Sequence, residues 1–302
     1  MAPPEVDSGM RWFALAAVAV LFVALCPTDA HAWTPGTHIY LAESILGQVG
    51  ALPGLVGDLL RAFPYDYLYG SIAADTSFAK KYAPVGRHPH AWHVGQEIHD
   101  AAGSDALRAF GLGYLSHLAA DVVAHNYFVP RQLVVSRGPA GVAHAYWEAR
   151  VENTLERRYS REAMDLLRMD HTPADRLLDT VLSPTLFSIP TNRRMFRGMV
   201  RIADQRSYQA TVRLAHEFSG VPLMDEDVGR HLEQSQEAIT LMLAAQDEAL
   251  RLRDPSGEAA LKAARLARKE ILQLGGGDIG RLRAEAEKRF GLPLPAGRRV
   301  GG

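Results

Sequence analysis

The segment that most restricts how this chain can fold is His117-Leu118-Ala119-Ala120-Asp121-Val122-Val123-Ala124-His125, where three metal-competent side chains recur every four residues among good helix formers. On an α-helix each such step turns the side chain by about 40° and climbs about 6 Å, so His117, Asp121 and His125 share one stripe. The two histidines then lie about 12 Å apart along the axis, too far to share one ion at zinc bond lengths of about 2.0–2.2 Å. The stripe asks for more than one metal. The Leu, Ala and Val residues around it predict burial, and buried ionisable groups need partners that replace water.

A lone helical histidine is ordinarily a satisfied core or surface residue. What separates the two readings is whether the chain supplies further donors, because each tetrahedral zinc site takes three or four. His38 opens an amphipathic helix after the Pro35-Gly36 turn. Asp75 follows Ser71-Ile72-Ala73-Ala74, which predicts burial, although an Asp there also reads as the cap of the next turn. His88, His90 and His93 fall on a loop marked by Pro84, Gly86 and Pro89. His144 and Glu148 form an i, i+4 pair able to converge on one ion.

The first 32 residues stand apart from the rest. Arg11 precedes an apolar run from Trp12 to Cys26, then Pro27 and the small-x-small site Ala30-His31-Ala32, the pattern of a secretory signal peptide and hence of a periplasmic or extracellular protein. The run is short for the roughly 20 residues of a membrane span. Cleavage after Ala32 would remove Cys26, the only cysteine, leaving His, Asp, Glu and backbone as donors. It would also free the α-amine of Trp33, which has a reference pKa near about 7.7–8 and can join its own carbonyl on a metal. A net charge of −1 over 302 residues points to neither a nucleic acid nor a membrane partner.

The remaining pattern is all-α, with no stretch that reads as a strand. A helix is expected from Asp105 to Phe128, capped by Ser104 and stopped by Pro130, and another from Leu55 to Phe63, ended by Pro64. Further helices are expected near 173–182, 192–218, 226–253, 257–273 and 278–290, before a disordered tail from Pro295. The organisation expected is a signal peptide over 1–32, a catalytic domain over 33–156 and a helical C-terminal region over 157–302. That last region reads as a lid, a membrane-contacting appendage or a partner-binding bundle.

Trp33, His38, Asp75, the His88 cluster, His117-x3-Asp121, His125 and His144-x3-Glu148, taken in order, resemble the zinc-dependent phospholipase C family, whose superfamily includes single-strand nucleases with the same trinuclear zinc site. The resemblance covers about residues 33–152. It implies a multi-helix domain with three Zn2+. One would be held by Asp75, His88, His117 and Asp121, and a second by the Trp33 amine and carbonyl, His38 and a bridging Asp121. The third would be held by His125, His144 and Glu148. His90 and His93 would support these ligands by hydrogen bonding. In the family the third-site His lies six residues beyond the bridging Asp, whereas His125 lies four beyond Asp121. No acid stands between Thr34 and Thr37, where lecithin-cleaving members carry one for choline.

The function so implied is hydrolysis of a phosphodiester by metal-activated water, with a phospholipid or related phosphodiester as substrate and peripheral contact with a membrane. Asp75 is either a ligand or the general base. Tyr65, Tyr67, Tyr69, Trp92, Tyr127 and Trp147 offer lining for an apolar slot. A single-strand nuclease is the alternative enzyme, but it calls for a basic funnel that residues 88–125 lack. A non-catalytic, zinc-stabilised helical protein that binds lipid or a partner is the third reading.

Overall fold

The computed structural model describes residues 33–76, 86–136, 140–183, 188–203, 221, 223–245, 248–273 and 278–293. Among them every regular element is a helix and no strand occurs. Residues 1–32 with Cys26, Gly138-Pro139, His216 and the residues from Pro295 lie outside the described residues. No described helix is long and apolar enough to cross a membrane.

The chain is built around α5 (Asp105–Val123). Ser104 starts it, its Oγ accepting from the Leu107 amide at 3.3 Å. From Ala109 onward every residue of α5 is buried, as expected of a helix apolar on all sides. Before it come α1 (Pro35–Gly47), α2 (Gly54–Ala62), α3 (Pro64–Ala73) and α4 (Trp92–Asp100). After it come α6 (Val129–Val135), α7 (Ala140–Glu152), α8 (Arg158–Leu166), α9 (Thr172–Val181) and α10 (Ile189–Ala203). The C-terminal helices are α11 (Asp225–Ala245), α12 (Glu248–Arg251), α13 (Glu258–Gln273) and α14 (Ile279–Phe290). Helices α3, α4 and α11 pack on α5, while α13 and α14 pack on α6. One apolar cluster joins side chains from Trp33 to Phe290.

Two prolines act differently from expectation. Pro130 does not stop the central helix. After Val123 the chain takes a π turn, Ala124–Phe128, closed by the Val129 amide on the Ala124 carbonyl five residues back, and continues as α6. The wider turn accommodates a residue that lacks an N–H and would collide with the carbonyl four residues back in a regular helix. Pro64 begins α3 rather than merely ending α2, its ring fixing φ at a helical value in the first turn. The tyrosine-rich stretch Tyr65-Asp66-Tyr67-Leu68-Tyr69 is therefore helical.

Close approach of α3 to α5 depends on Gly70 and Gly113. A Cβ on Gly113 would overlap the Tyr67 carbonyl oxygen and lie 2.9 Å from Gly70 Cα. A Cβ on Gly70 would overlap the Phe110 carbonyl oxygen and lie 2.9 Å from the Tyr114 nitrogen. These are backbone atoms and have nowhere to go. The same approach puts the Ser71 carbonyl 2.9 Å from His117 Nδ1. Gly113→Ala is accordingly expected to cost about 3 kcal/mol in urea unfolding; a change under about 0.5 kcal/mol, the scale of a bland surface substitution, would refute the close-packing argument.

Candidate metal centre

Five side chains from four parts of the chain meet at one buried point. His38 comes from α1, Asp75 from the short turn Ala74–Thr76 after α3, His90 from the turn before α4, and His117 and Asp121 from α5. Asp121 Oδ1 lies 3.3 Å from His38 Nε2, and Oδ2 lies 3.1 Å from His90 Nε2 and 3.2 Å from His117 Nε2. Asp75 Oδ1 lies 3.3 Å from His90 Nε2 and 3.8 Å from His117 Nε2. The His38 and His117 rings stack at 3.9 Å.

Beside them, His125 from the π turn and His144 and Glu148 from α7 form a second group, with His144 Nε2 2.7 Å from Glu148 Oε1. The two groups adjoin, since His125 Nδ1 is 3.9 Å from Asp121 Oδ2. None of the eight residues is more than 4% exposed.

The arrangement suits cations better than it suits itself. A carbonyl oxygen only accepts, so His117 donates Nδ1–H to Ser71 and aims Nε2 into the cluster, where His90 Nε2 stands 3.1 Å away. Two ligands of one zinc, at about 2.0–2.1 Å and a tetrahedral angle, are about 3.4 Å apart, close to the separations found here. His38 Nε2 and both oxygens of Asp121 are buried without an aligned hydrogen bond, which a cation between them would satisfy. The residues therefore fit zinc.

Protonation follows from the same crowding. Burial first, and His117 second, lower the His38 pKa to about 4, so this imidazole is neutral and ligand-ready. Burial would raise Asp121, but the neighbouring imidazoles, His117 foremost, hold it well below the usual carboxylate range. For His117, burial is outweighed by Asp121 and Asp75, and its pKa is raised.

The loop histidines depart from expectation. His90, expected as a support, occupies the cluster position expected for His88. His88 is half-buried at the rim, its Nδ1 accepting from the His90 amide at 3.1 Å, because the turn at Pro89 sends the later imidazole inward. His93 is exposed and its Nε2 lies 2.7 Å from the Gly86 carbonyl, closing the loop. Trp33 is fully buried, with its ring 5.1 Å from Phe128 in the π turn and its indole N–H donating to Ser235 at 3.3 Å.

Of the aromatics expected to line a slot, Tyr67, Tyr69 and Trp147 are core. Their polar tips find internal partners in Ser116, Asp175 and Ser136. Sequence reasoning missed the loop from Asp254 to Gly257, which touches His125. Its Asp-Pro-Ser-Gly composition marks a turn but not its destination.

The fold and the cluster together define an all-α protein with adjoining, buried His/carboxylate groups that could hold metal. Residues 37–185 match the family model described as zinc dependent phospholipase C, and this segment belongs to that family. The match passes the boundary expected at 156 and ends before α10. No curated protein and no solved structure matches the chain.

Proposed function

We propose that this chain is an exported zinc-dependent phosphodiester hydrolase of phospholipase C type, acting on a phospholipid or a related phosphodiester. The observation that carries this reading is the convergence of His38, Asp75, His90, His117 and Asp121 beside His125, His144 and Glu148 within the family segment. In it, the first five residues hold two zincs with Asp121 shared, and the last three hold a third. The Trp33 amine, freed by cleavage after Ala32, adds to the His38 site, and residues 33–156 carry the catalytic machinery.

Zinc held here supplies a Lewis acid that makes water nucleophilic near neutral pH and offsets charge on phosphate oxygens. The chain's own residues fix the geometry. His117 is held in one tautomer by Ser71, His38 is kept neutral by burial, and Asp75 either completes a ligand set or takes the proton of the attacking water. Peripheral lipid contact is part of the reading. It is supported by Leu252, 88% exposed, and by the outer face of α13, where Lys262, Arg265 and Lys269 stand with exposed Leu266 and Leu272.

The test compares zinc content and turnover of a chain beginning at Trp33, one retaining Ala32 and the Asp75→Asn variant. Substrates are a phospholipid, an aryl phosphodiester and single-stranded DNA. The chain from Trp33 is expected to hydrolyse the first two. Retaining Ala32 is expected to remove one zinc and most activity, because an amide nitrogen has no free lone pair to donate. Asp75→Asn with zinc kept and turnover lost identifies a base, and with zinc lost, a ligand. Preference for DNA would replace this reading with a nuclease, and a zinc-loaded but inert protein would leave a binding role only.

A further inference from the structure

The loop Asp254-Pro255-Ser256-Gly257, between α12 and α13, lies outside the family segment, yet it closes directly on His125. It is a tight turn. The Asp254 carboxylate accepts from the Ser256 amide at 2.9 Å and from Ser256 Oγ at 2.6 Å, and the Gly257 amide donates to the Asp254 carbonyl at 3.1 Å. Pro255 and Gly257 are buried, and the Pro255 carbonyl oxygen lies 2.6 Å from His125 Nδ1. That carbonyl can only accept, so Nδ1 carries the proton and Nε2 keeps the lone pair.

Gly257 is required twice over. Its φ is +59°, in the left-handed region, and a Cβ there would collide with His125 Cβ and lie 2.5 Å from the His125 carbonyl oxygen. The loop is also tied down by residues flanking the metal cluster. Asn126 Nδ2 donates to the Asp254 carbonyl at 2.9 Å, Trp92 Nε1 to the Arg253 carbonyl at 2.8 Å, and Arg251 to Gln96 Oε1 at 3.0 Å. His125 itself sits on a π turn, where side-chain direction departs from the regular helical stripe.

We infer that Pro255 and Gly257 are positioning residues for the metal site of His125, His144 and Glu148. The Pro255 carbonyl sets the tautomer and direction of His125, and Gly257 lets the loop backbone come close enough to do so. The inference rests on the zinc reading above. It makes the C-terminal helices, which hold this loop at both ends, part of the construction of the metal centre.

Zinc titration of the full-length processed protein tests it. Gly257→Ala is expected to weaken one zinc equivalent about 100-fold and leave the others unchanged; Asn126→Ala, which loosens the loop without adding atoms, is expected to weaken the same equivalent about 10-fold. In a His144→Ala background, where that site has already lost a ligand, neither substitution should cost further zinc. The Asn126→Ala arm decides if Gly257→Ala does not fold. Unchanged affinities in both variants overturn the inference, as does an equal loss at every site or a further loss in the His144→Ala background. Absence of zinc from the unsubstituted protein overturns the metal reading instead.

Discussion

Asp121→Asn is expected to strip two zincs from the protein and to lower phosphodiester hydrolysis by on the order of 10³-fold, since metal assistance is worth several kcal/mol and each 1.36 kcal/mol is about tenfold in rate. The substitution keeps the shape of the side chain and removes its charge. Among the described residues Asp121 is the one carboxylate that reaches His38, His90 and His117 together, at 3.1–3.3 Å, so in the proposed centre it would bridge neighbouring ions. An amide offers one oxygen and one N–H donor in its place, and the N–H would point at a cation. By contrast, His144→Ala should cost one zinc only, because its site shares no ligand with the other group. Elemental analysis beside turnover separates these outcomes. A D121N protein that keeps its zinc and its rate would show that the cluster is a neutralised core network and not a metal centre.

The stripe and its partners were visible in the sequence because helical spacing converts directly into space. A four-residue step places His117 beside Asp121 and His144 beside Glu148, whatever the rest of the chain does. The start of α5 was equally legible, since Ser104 carries a capping oxygen at the right offset. The choice between His88 and His90 was not. The two are separated by one proline, and the dihedrals of that turn decide which imidazole points inward. Nor could spacing reveal the π turn at Ala124–Phe128, because a π turn conserves the residue types of a helix and changes only its hydrogen bonds. The closest support of His125 comes from a backbone carbonyl 130 residues away, a donor–acceptor pair that leaves no side-chain signature. Pattern reading reaches groups that a local element holds together. It misses groups that only tertiary packing brings into contact.

Removing zinc with a chelator is expected to abolish turnover and to lower the thermal midpoint by roughly 10 °C or more, reversibly on adding zinc back. Ligand binding stabilises the folded state by about 4 kcal/mol when free metal exceeds the dissociation constant a thousandfold, and a large domain gains about 2–4 °C per kcal/mol. The sign is fixed by what the metal would leave behind. Asp75, Asp121 and Glu148 stand with five imidazoles in a space almost closed to water, and the separations that suit a shared cation are poor hydrogen-bond geometry for His38 Nε2 and the Asp121 oxygens. Proton release should accompany reloading. His38, with its pKa lowered to about 4, has no proton to give up at neutral pH, whereas His117, held protonated more readily by Asp121 and Asp75, must lose one for Nε2 to bind. Zinc affinity should therefore rise with pH near neutrality, and buffer-dependent calorimetry measures the proton count directly. If the midpoint is the same with and without zinc, and no proton leaves on titration, the buried donors are already satisfied by one another and the metal contributes nothing to the fold.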